Sequence, residues 1–329
     1  MERSAVPPPV TVVQREAGAW LPTRMARVER RLGEIADGYG AALAADAGAT
    51  LRAGGKRLRP LLVLLCAGPR GDDRAIRGAT AVELVHMATL VHDDVLDGAG
   101  LRRGRPTVVA SSGRDRATAA GDLLLSRAFA ELGTDDGGRQ IELLTAASVA
   151  LALGELAQRR DSYDTSISVE RYLERCQLKT GQLFECACVI GRLDDRSADD
   201  ATVMRLAAFG REIGLAFQLL DDVLDVAGPR ERTGKEPGTD LLDGTVTLPL
   251  ILGRREDPEL AGLDLRTLDA TRAAQACERI VRTGVLDEVR ARAAELIESA
   301  KRELAATGLP QDERRLLGLV ADGVVERYA

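Results

Sequence analysis

The run Val82-Glu83-Leu84-Val85-His86-Met87-Ala88-Thr89-Leu90-Val91-His92-Asp93-Asp94-Val95-Leu96-Asp97 closes an apolar stretch on a cluster of carboxylates, and the same Asp-Asp-Val-Leu-Asp pentad returns at 221–225 behind Ile213 to Leu220. On a helix, positions i and i+4 share a face, so Asp93 projects with Asp97 and Asp221 projects with Asp225. A Gly follows each pentad within three residues, a helix-stop signal. Each carboxylate cluster is therefore expected near the C-terminal end of a largely buried helix. That placement is electrostatically poor, because the helix dipole disfavours anions there and like charges one turn apart repel. A chain that does this twice is expected to hold a strong cation between the clusters. Hard divalent cations take oxygen ligands, and Mg²⁺ shares its shell with waters and substrate phosphates.

The rest of the chain suits such helices. Its 329 residues are 45% hydrophobic, 29% charged and only 3% aromatic, a mix that supports helix and starves strands. No Pro/Ser-rich linker or fixed-period repeat divides the chain, which reads as an all-α, single-domain helical bundle. Residues 1–20 read as an N-terminal arm without helical periodicity, and 21–329 as the helical domain. Breaks fall at 53–55, 68–71, 98–100, 133–138, 193–195, 228–229 and 256–258, marked by Gly, Pro and Asp. A net charge of −6 gives no basic field, so nucleic acid is not an expected partner. The apolar run Leu61 to Ala67 is far short of the roughly 20 residues that span a bilayer. The start, Val6-Pro7-Pro8-Pro9-Val10, lacks the basic and apolar regions of a signal peptide, so neither a transmembrane segment nor export is expected. Five cysteines make no disulfide framework and no zinc spacing. They are expected to be buried thiols in a reducing cytoplasm.

Several basic sets could meet an anionic ligand. Gly54-Gly55-Lys56-Arg57-Leu58-Arg59-Pro60 is a glycine turn opening into an apolar helix, and Leu101-Arg102-Arg103-Gly104-Arg105-Pro106-Thr107 follows the first pentad. Lys179-Thr180-Gly181-Gln182 and Gly234-Lys235 come later. Glycine lets backbone approach closely, and Lys and Arg bind phosphate as a point charge and as a fork. Two carboxylate clusters and separate basic sets imply two phosphorylated ligands, one held through metal and the other directly. Chemistry on a diphosphate leaving group follows.

These strings, in this order, resemble the trans-isoprenyl diphosphate synthases, the polyprenyl synthetase family. The resemblance spans 54–249 and also includes Gly121-Asp122, Lys179 to Glu185, Phe217 to Asp225, Gly234 to Leu241 and Thr247-Leu248-Pro249. It implies a helical bundle around a deep central cavity, usually a homodimer, that condenses an allylic diphosphate with isopentenyl diphosphate. It also implies about three Mg²⁺ ions per active site. By carry-over, Asp93, Asp97, Asp221 and Asp225 are the metal residues, with Asp94 and Asp222 supporting them. Arg102, Lys179 and Lys235 would contact the allylic diphosphate; Lys56, Arg59, His86 and Arg103 would hold isopentenyl diphosphate. Lys179, Thr180 and Gln218 form the catalytic set, the last two lining the path of an allylic cation. His92 reads as structural. The small Gly98-Ala99-Gly100 departs from relatives that carry acids or longer residues there.

The resemblance implies ionisation first, attack by the isopentenyl double bond, then proton loss to the departed diphosphate. Residues one turn before Asp93, here the small Ala88 and Thr89, would set product length, because short-chain relatives often place aromatic rings at this level. A medium or long all-trans product is expected, about seven to ten isoprene units if the apolar tunnel is left open. The alternatives are a farnesyl or geranylgeranyl product, a terpene cyclase and a non-catalytic synthase subunit. A cyclase normally mixes Asn, Ser or Thr, and Glu in its second metal site, and a bare subunit should have eroded motifs.

Overall fold

The structure, a computed structural model, describes residues 8–52, 55, 57–102, 104–133, 138–194, 198–228 and 237–326. Its elements are almost all helical. The sole strand pairing among the described residues is a minimal hairpin, Leu101–Arg102 against Arg105–Pro106.

The centre is set by the helix least able to face water. In α4 (Leu58–Ala67), every residue from Pro60 onward is buried, and a helix without a polar face must be enclosed. Against it pack α5 (Asp73–Asp97) and α10 (Gln182–Arg192), and α11 (Asp200–Ala227) lies on α10. α10 packs against both α5 and α11. It is buried without interruption from Cys186 to Gly191. Outer layers are α2 (Trp20–Asp37), α3 (Gly40–Arg52), the short α6 (Val108–Ser112), α7 (Arg114–Leu132), α8 (Gly138–Asp161) and the long helix Val285–Ala305 that covers α11.

Both pentads end their helices, as the sequence implies. Gly98 terminates α5 in the left-handed conformation with φ 61°, donating its N–H to the Asp94 carbonyl. α11 ends at Ala227, and Gly228 donates to the Leu224 carbonyl.

Two features differ from expectation. Part of the supposed irregular arm is helical: α1 (Pro8–Glu16) buries Val10 and Val13 and docks on the last helix, Gln311–Glu326, where Arg315 pairs with Glu16 at 2.6 Å. Proline is tolerated in a first helical turn, whose N–H groups have no intrahelical partner. In addition, α8 is long and apolar enough, with a mean hydropathy of 1.4 over an 18-residue window, to match a membrane span by length and composition. Its C-terminal turns carry Glu155, Arg159 and Arg160. α8 packs against α10 and buries Leu144, Ala147 and Leu151. The five cysteines are all buried and free.

Candidate active site

The two pentads are joined by a local irregularity. Between α9 (Val169–Cys176) and α10 the chain makes a π-helical turn, Gln177–Gly181, a distortion that recurs at functional sites. Lys179 and Thr180 leave this turn toward different helices. Lys179 Nζ donates to Glu155 on α8, lies 3.3 Å from Gln158 Oε1, and stands 4.0 Å from Asp93 Oδ2 at the end of α5. Thr180 Oγ1 is 2.8 Å from Gln218 Oε1 on α11, and Gln218 Nε2 donates to Asp222 Oδ1 at 2.8 Å. One turn of backbone thus addresses both carboxylate clusters. α8 comes this close because it has Gly154 there; a Cβ on that residue would lie 2.7 Å from the Lys179 nitrogen.

Within each pentad the aspartates do different work. Asp93 and Asp97 keep 22% and 33% side-chain exposure, whereas Asp94 keeps 7%. Asp94 turns inward and accepts from Arg102 Nε at 2.8 Å. The hairpin delivers Arg102, and Thr107 ties the hairpin down by donating to the Ala99 carbonyl at 2.5 Å. Asp97 accepts from Arg159. Burial, helped by the Glu155 and Asp97 charges and opposed by Lys179 and Arg102, pushes Asp93 up to about 6. Glu155 is half-buried, which raises it, yet Lys179 and Arg159 hold it below the usual carboxylate range.

In the second pentad Asp221 is exposed and Asp222 is buried. Asp222 accepts from the Tyr172 hydroxyl at 2.5 Å as well as from Gln218. Burial, with Asp240 and Asp221 adding to it, pushes Asp222 up to about 8. Asp225 is half-buried and accepts the Asp240 N–H at 3.1 Å, which ties the short helix α12 (Thr239–Leu242) to the pentad. Asp93 with Asp97 and Asp221 with Asp225 remain the outward-facing pairs. Their all-oxygen donor sets suit a hard divalent cation. Among the described residues no three His, Cys, Asp or Glu side chains come together in a group that could hold a metal ion.

The basic sets are partly legible. Arg57 starts α4 from a left-handed backbone (φ 47°), and its guanidinium grips Glu29 and Glu83 at 2.6 Å each. Arg59, two residues on, lies with its guanidinium carbon 4.5 Å from the Phe184 ring centroid, a cation–π placement. His86 is half-buried on α5. His92 lies against α7, with Nε2 3.2 Å from Asp122 Oδ1, and a Cβ on Gly121 would sit 2.3 Å from the imidazole. The Gly121-Asp122 pair is thus a seat for His92, consistent with its structural reading. Lys56, Arg103 and Lys235 lie outside the described residues.

Ala88 is buried, at 1% exposure, and Thr89 is half-buried, donating its hydroxyl to the His86 carbonyl at 2.8 Å. Sequence reasoning missed Arg159, Glu155 and Tyr172. The first two had a signal, an acid–base pair at i,i+4; Tyr172 had none, because only folding brings it to Asp222.

The family model described as polyprenyl synthetase matches residues 42–283. A heptaprenyl diphosphate synthase component 2 of Geobacillus stearothermophilus is 38% identical over 277 residues, covering 83% of this chain and 85% of that protein. A geranylgeranyl diphosphate synthase of Methanosarcina mazei is 35% identical over 285 residues, 84% of this chain and 86% of that one. A crystal structure of a polyprenyl synthase from Caulobacter crescentus, complexed with calcium and isoprenyl diphosphate, superimposes with a TM-score of 0.89 at 35% identity, covering 96% of this chain and 98% of that one.

Proposed function

The chain belongs to the polyprenyl synthetase family of prenyltransferases, and on that premise we propose that it is a Mg²⁺-dependent trans-polyprenyl diphosphate synthase joining an allylic diphosphate to isopentenyl diphosphate. The observation that carries this reading is the π turn, whose Lys179 stands beside Asp93 while Thr180 reaches Gln218 and, through it, Asp222. Asp93, Asp97, Asp221 and Asp225 would hold Mg²⁺ through carboxylate oxygens. Bound there, Mg²⁺ neutralises the diphosphate and makes it a competent leaving group. Lys179, Arg102 and Lys235 orient that diphosphate. Lys56, Arg59, His86 and Arg103 hold isopentenyl diphosphate with its double bond toward the reacting carbon. The Thr180 and Gln218 oxygens line the path of the developing allylic charge. No side chain is assigned as a strong base; the proton passes to the departed diphosphate.

Incubating the purified protein with farnesyl diphosphate and Mg²⁺, with and without isopentenyl diphosphate, tests the reading. A longer prenyl diphosphate is expected only with both substrates. A product from farnesyl diphosphate alone would make the chain a cyclase. No product in either tube would leave the reading without support and favour a synthase component that needs a second subunit.

For product length we retain the medium-to-long expectation, supported by the small residues before Asp93. Thr89 keeps accessible surface and Ala88 does not, so Thr89→Phe and Ala88→Phe are compared. Either ring is expected to shorten the product sharply at comparable activity. An unchanged product distribution in both would move the floor to another helix.

A homodimer is supported by the outer face of α8. Val149, Leu153 and Leu156 are 54%, 51% and 66% exposed at alternating spacings of four and three, with Glu142 before them and Arg160 after. An antiparallel pairing of two copies sets Val149 on the partner's Leu153 and Glu142 beside the partner's Arg160, a self-complementary arrangement. Leu153→Glu should convert the dimer to a monomer by light scattering; unchanged mass would remove α8 from the interface.

A further inference from the structure

Tyr163, between α8 and α9, holds a backbone conformation that a bulky residue rarely adopts: its φ is 64°. Such strain persists only where the surroundings over-determine it. Here the surroundings are one glycine. The Tyr163 N–H donates to the Gly244 carbonyl at 2.8 Å. Gly244 is itself left-handed, with φ 72°, and a Cβ on it would lie 2.4 Å from the Tyr163 ring. The Arg266 guanidinium carbon sits 5.0 Å from that ring's centroid. Two left-handed residues therefore close on each other, ring against bare backbone.

Each half of this clasp leads to a different carboxylate cluster. Upstream of Tyr163, the last turns of α8 carry Glu155, which binds Lys179, and Arg159, which binds Asp97. On the other side, Gly244 closes the turn that begins with Gly238, whose N–H donates to the Asp225 carbonyl at 2.9 Å. The same turn places the Asp240 N–H on Asp225 Oδ2 and returns the Asp240 carbonyl to the Thr245 N–H at 2.8 Å. Buried Leu241 anchors the turn's interior, and Arg175 holds the Val246 carbonyl at 2.6 Å beyond it. The Gly238–Gly244 turn itself meets α8's end through Tyr163.

We propose that Tyr163 is a positioning residue for the metal–diphosphate site, setting the spacing of the two carboxylate clusters by clasping the turn bonded to Asp225 onto the end of α8. This rests on the metal reading above, and it concerns residues that touch no substrate. Partners of metal ligands commonly alter metal affinity by about 10- to 100-fold when removed.

Tyr163→Gly deletes the ring while retaining the N–H, and glycine adopts the left-handed conformation without strain. The variant is expected to need about 10-fold more Mg²⁺ for half-maximal activity, with an unchanged KM for isopentenyl diphosphate. Thermal stabilisation by Mg²⁺ with inorganic pyrophosphate should largely disappear, while the metal-free Tm stays within about 3 °C of the parent. Tyr163→Phe keeps the ring and should behave as the parent does. A Tyr163→Gly protein stabilised by Mg²⁺ and pyrophosphate as the parent is would overturn the inference. So would one whose metal-free Tm falls in step with its activity, since that is a structural role alone. If either Asp93→Ala or Asp221→Ala keeps near-parental turnover, the metal reading itself fails. If they are inactive and Tyr163→Gly is normal, only the clasp fails.

Discussion

Asp93→Ala and Asp221→Ala are each expected to lower turnover by about two to three orders of magnitude and to leave the protein folded. Both carboxylates face outward from helix ends where the dipole opposes them, so neither contributes to the fold what it contributes to metal binding. Asp93 makes the stronger case. Burial and neighbouring carboxylates raise it to about 6 in the folded chain, above its value in an unfolded one. A raised carboxylate stabilises the fold only while protonated. In the metal-free protein its contribution is therefore present at low pH, fades as pH rises from the ordinary carboxylate range through about 6, and is a penalty at pH 7. Asp93→Ala removes that penalty, so its metal-free Tm at pH 7 should equal or exceed the parent's. Asp222, raised further to about 8, carries no such penalty at about pH 4, and there Asp222→Ala should do the opposite. It would leave the buried Tyr172 hydroxyl and Gln218 amide without their acceptor, at about 1–3 kcal/mol for each stranded group, and its Tm should fall. Steady-state turnover and thermal melts of the three variants decide this. Near-parental turnover in Asp93→Ala or Asp221→Ala would remove the metal assignment, and an unchanged Tm in Asp222→Ala at that lower pH would remove the anchoring role.

The second large effect is on stability, from one substitution made in two helices. Gly→Ala in an exposed helix interior gains about 1 kcal/mol, because glycine loses more backbone entropy on folding. Gly33 in α2 has nothing within 4 Å of the position its Cβ would take, so Gly33→Ala should raise the Tm by a few degrees. Gly191 in α10 is helical too, but its Cβ would lie 2.2 Å from the Val63 carbonyl oxygen and 2.9 Å from Cys66 Cβ. That oxygen is backbone of fully buried α4 and cannot swing aside. Overpacking of this kind costs about 1–3 kcal/mol and more when the obstacle is rigid, which exceeds the propensity gain. Gly191→Ala is therefore expected to lower the Tm by about 5 °C or more, while Gly33→Ala raises it. Equal shifts of the same sign would mean that α4 and α10 do not approach as closely as described.

The sequence by itself determined what depends on neighbours along the chain. Helical composition, the carboxylate pairs Asp93/Asp97 and Asp221/Asp225 on common faces, and their position at helix ends all follow from i,i+4 spacing and a following glycine. The basic motifs carried the family resemblance for the same reason, as short strings read locally. Helix periodicity failed at α1, where buried Val10 and Val13 sit behind prolines and the partner that buries them is almost the whole chain away. Tertiary structure alone decided which aspartate of each pentad faces inward. Asp94 goes to Arg102 and Asp222 to Tyr172 and Gln218, and nothing in two identical pentads distinguishes those fates. It also decided that Lys179 and Thr180 part toward two helices, because a π turn has no firm sequence signature and depends on Gly154 in another helix to admit it. The Tyr163–Gly244 clasp joins residues far apart in sequence, and their left-handed backbones are held by contact with each other. Local rules see the spacing of charges along one helix. Which charges end up buried, paired or exposed is fixed by what packs against them.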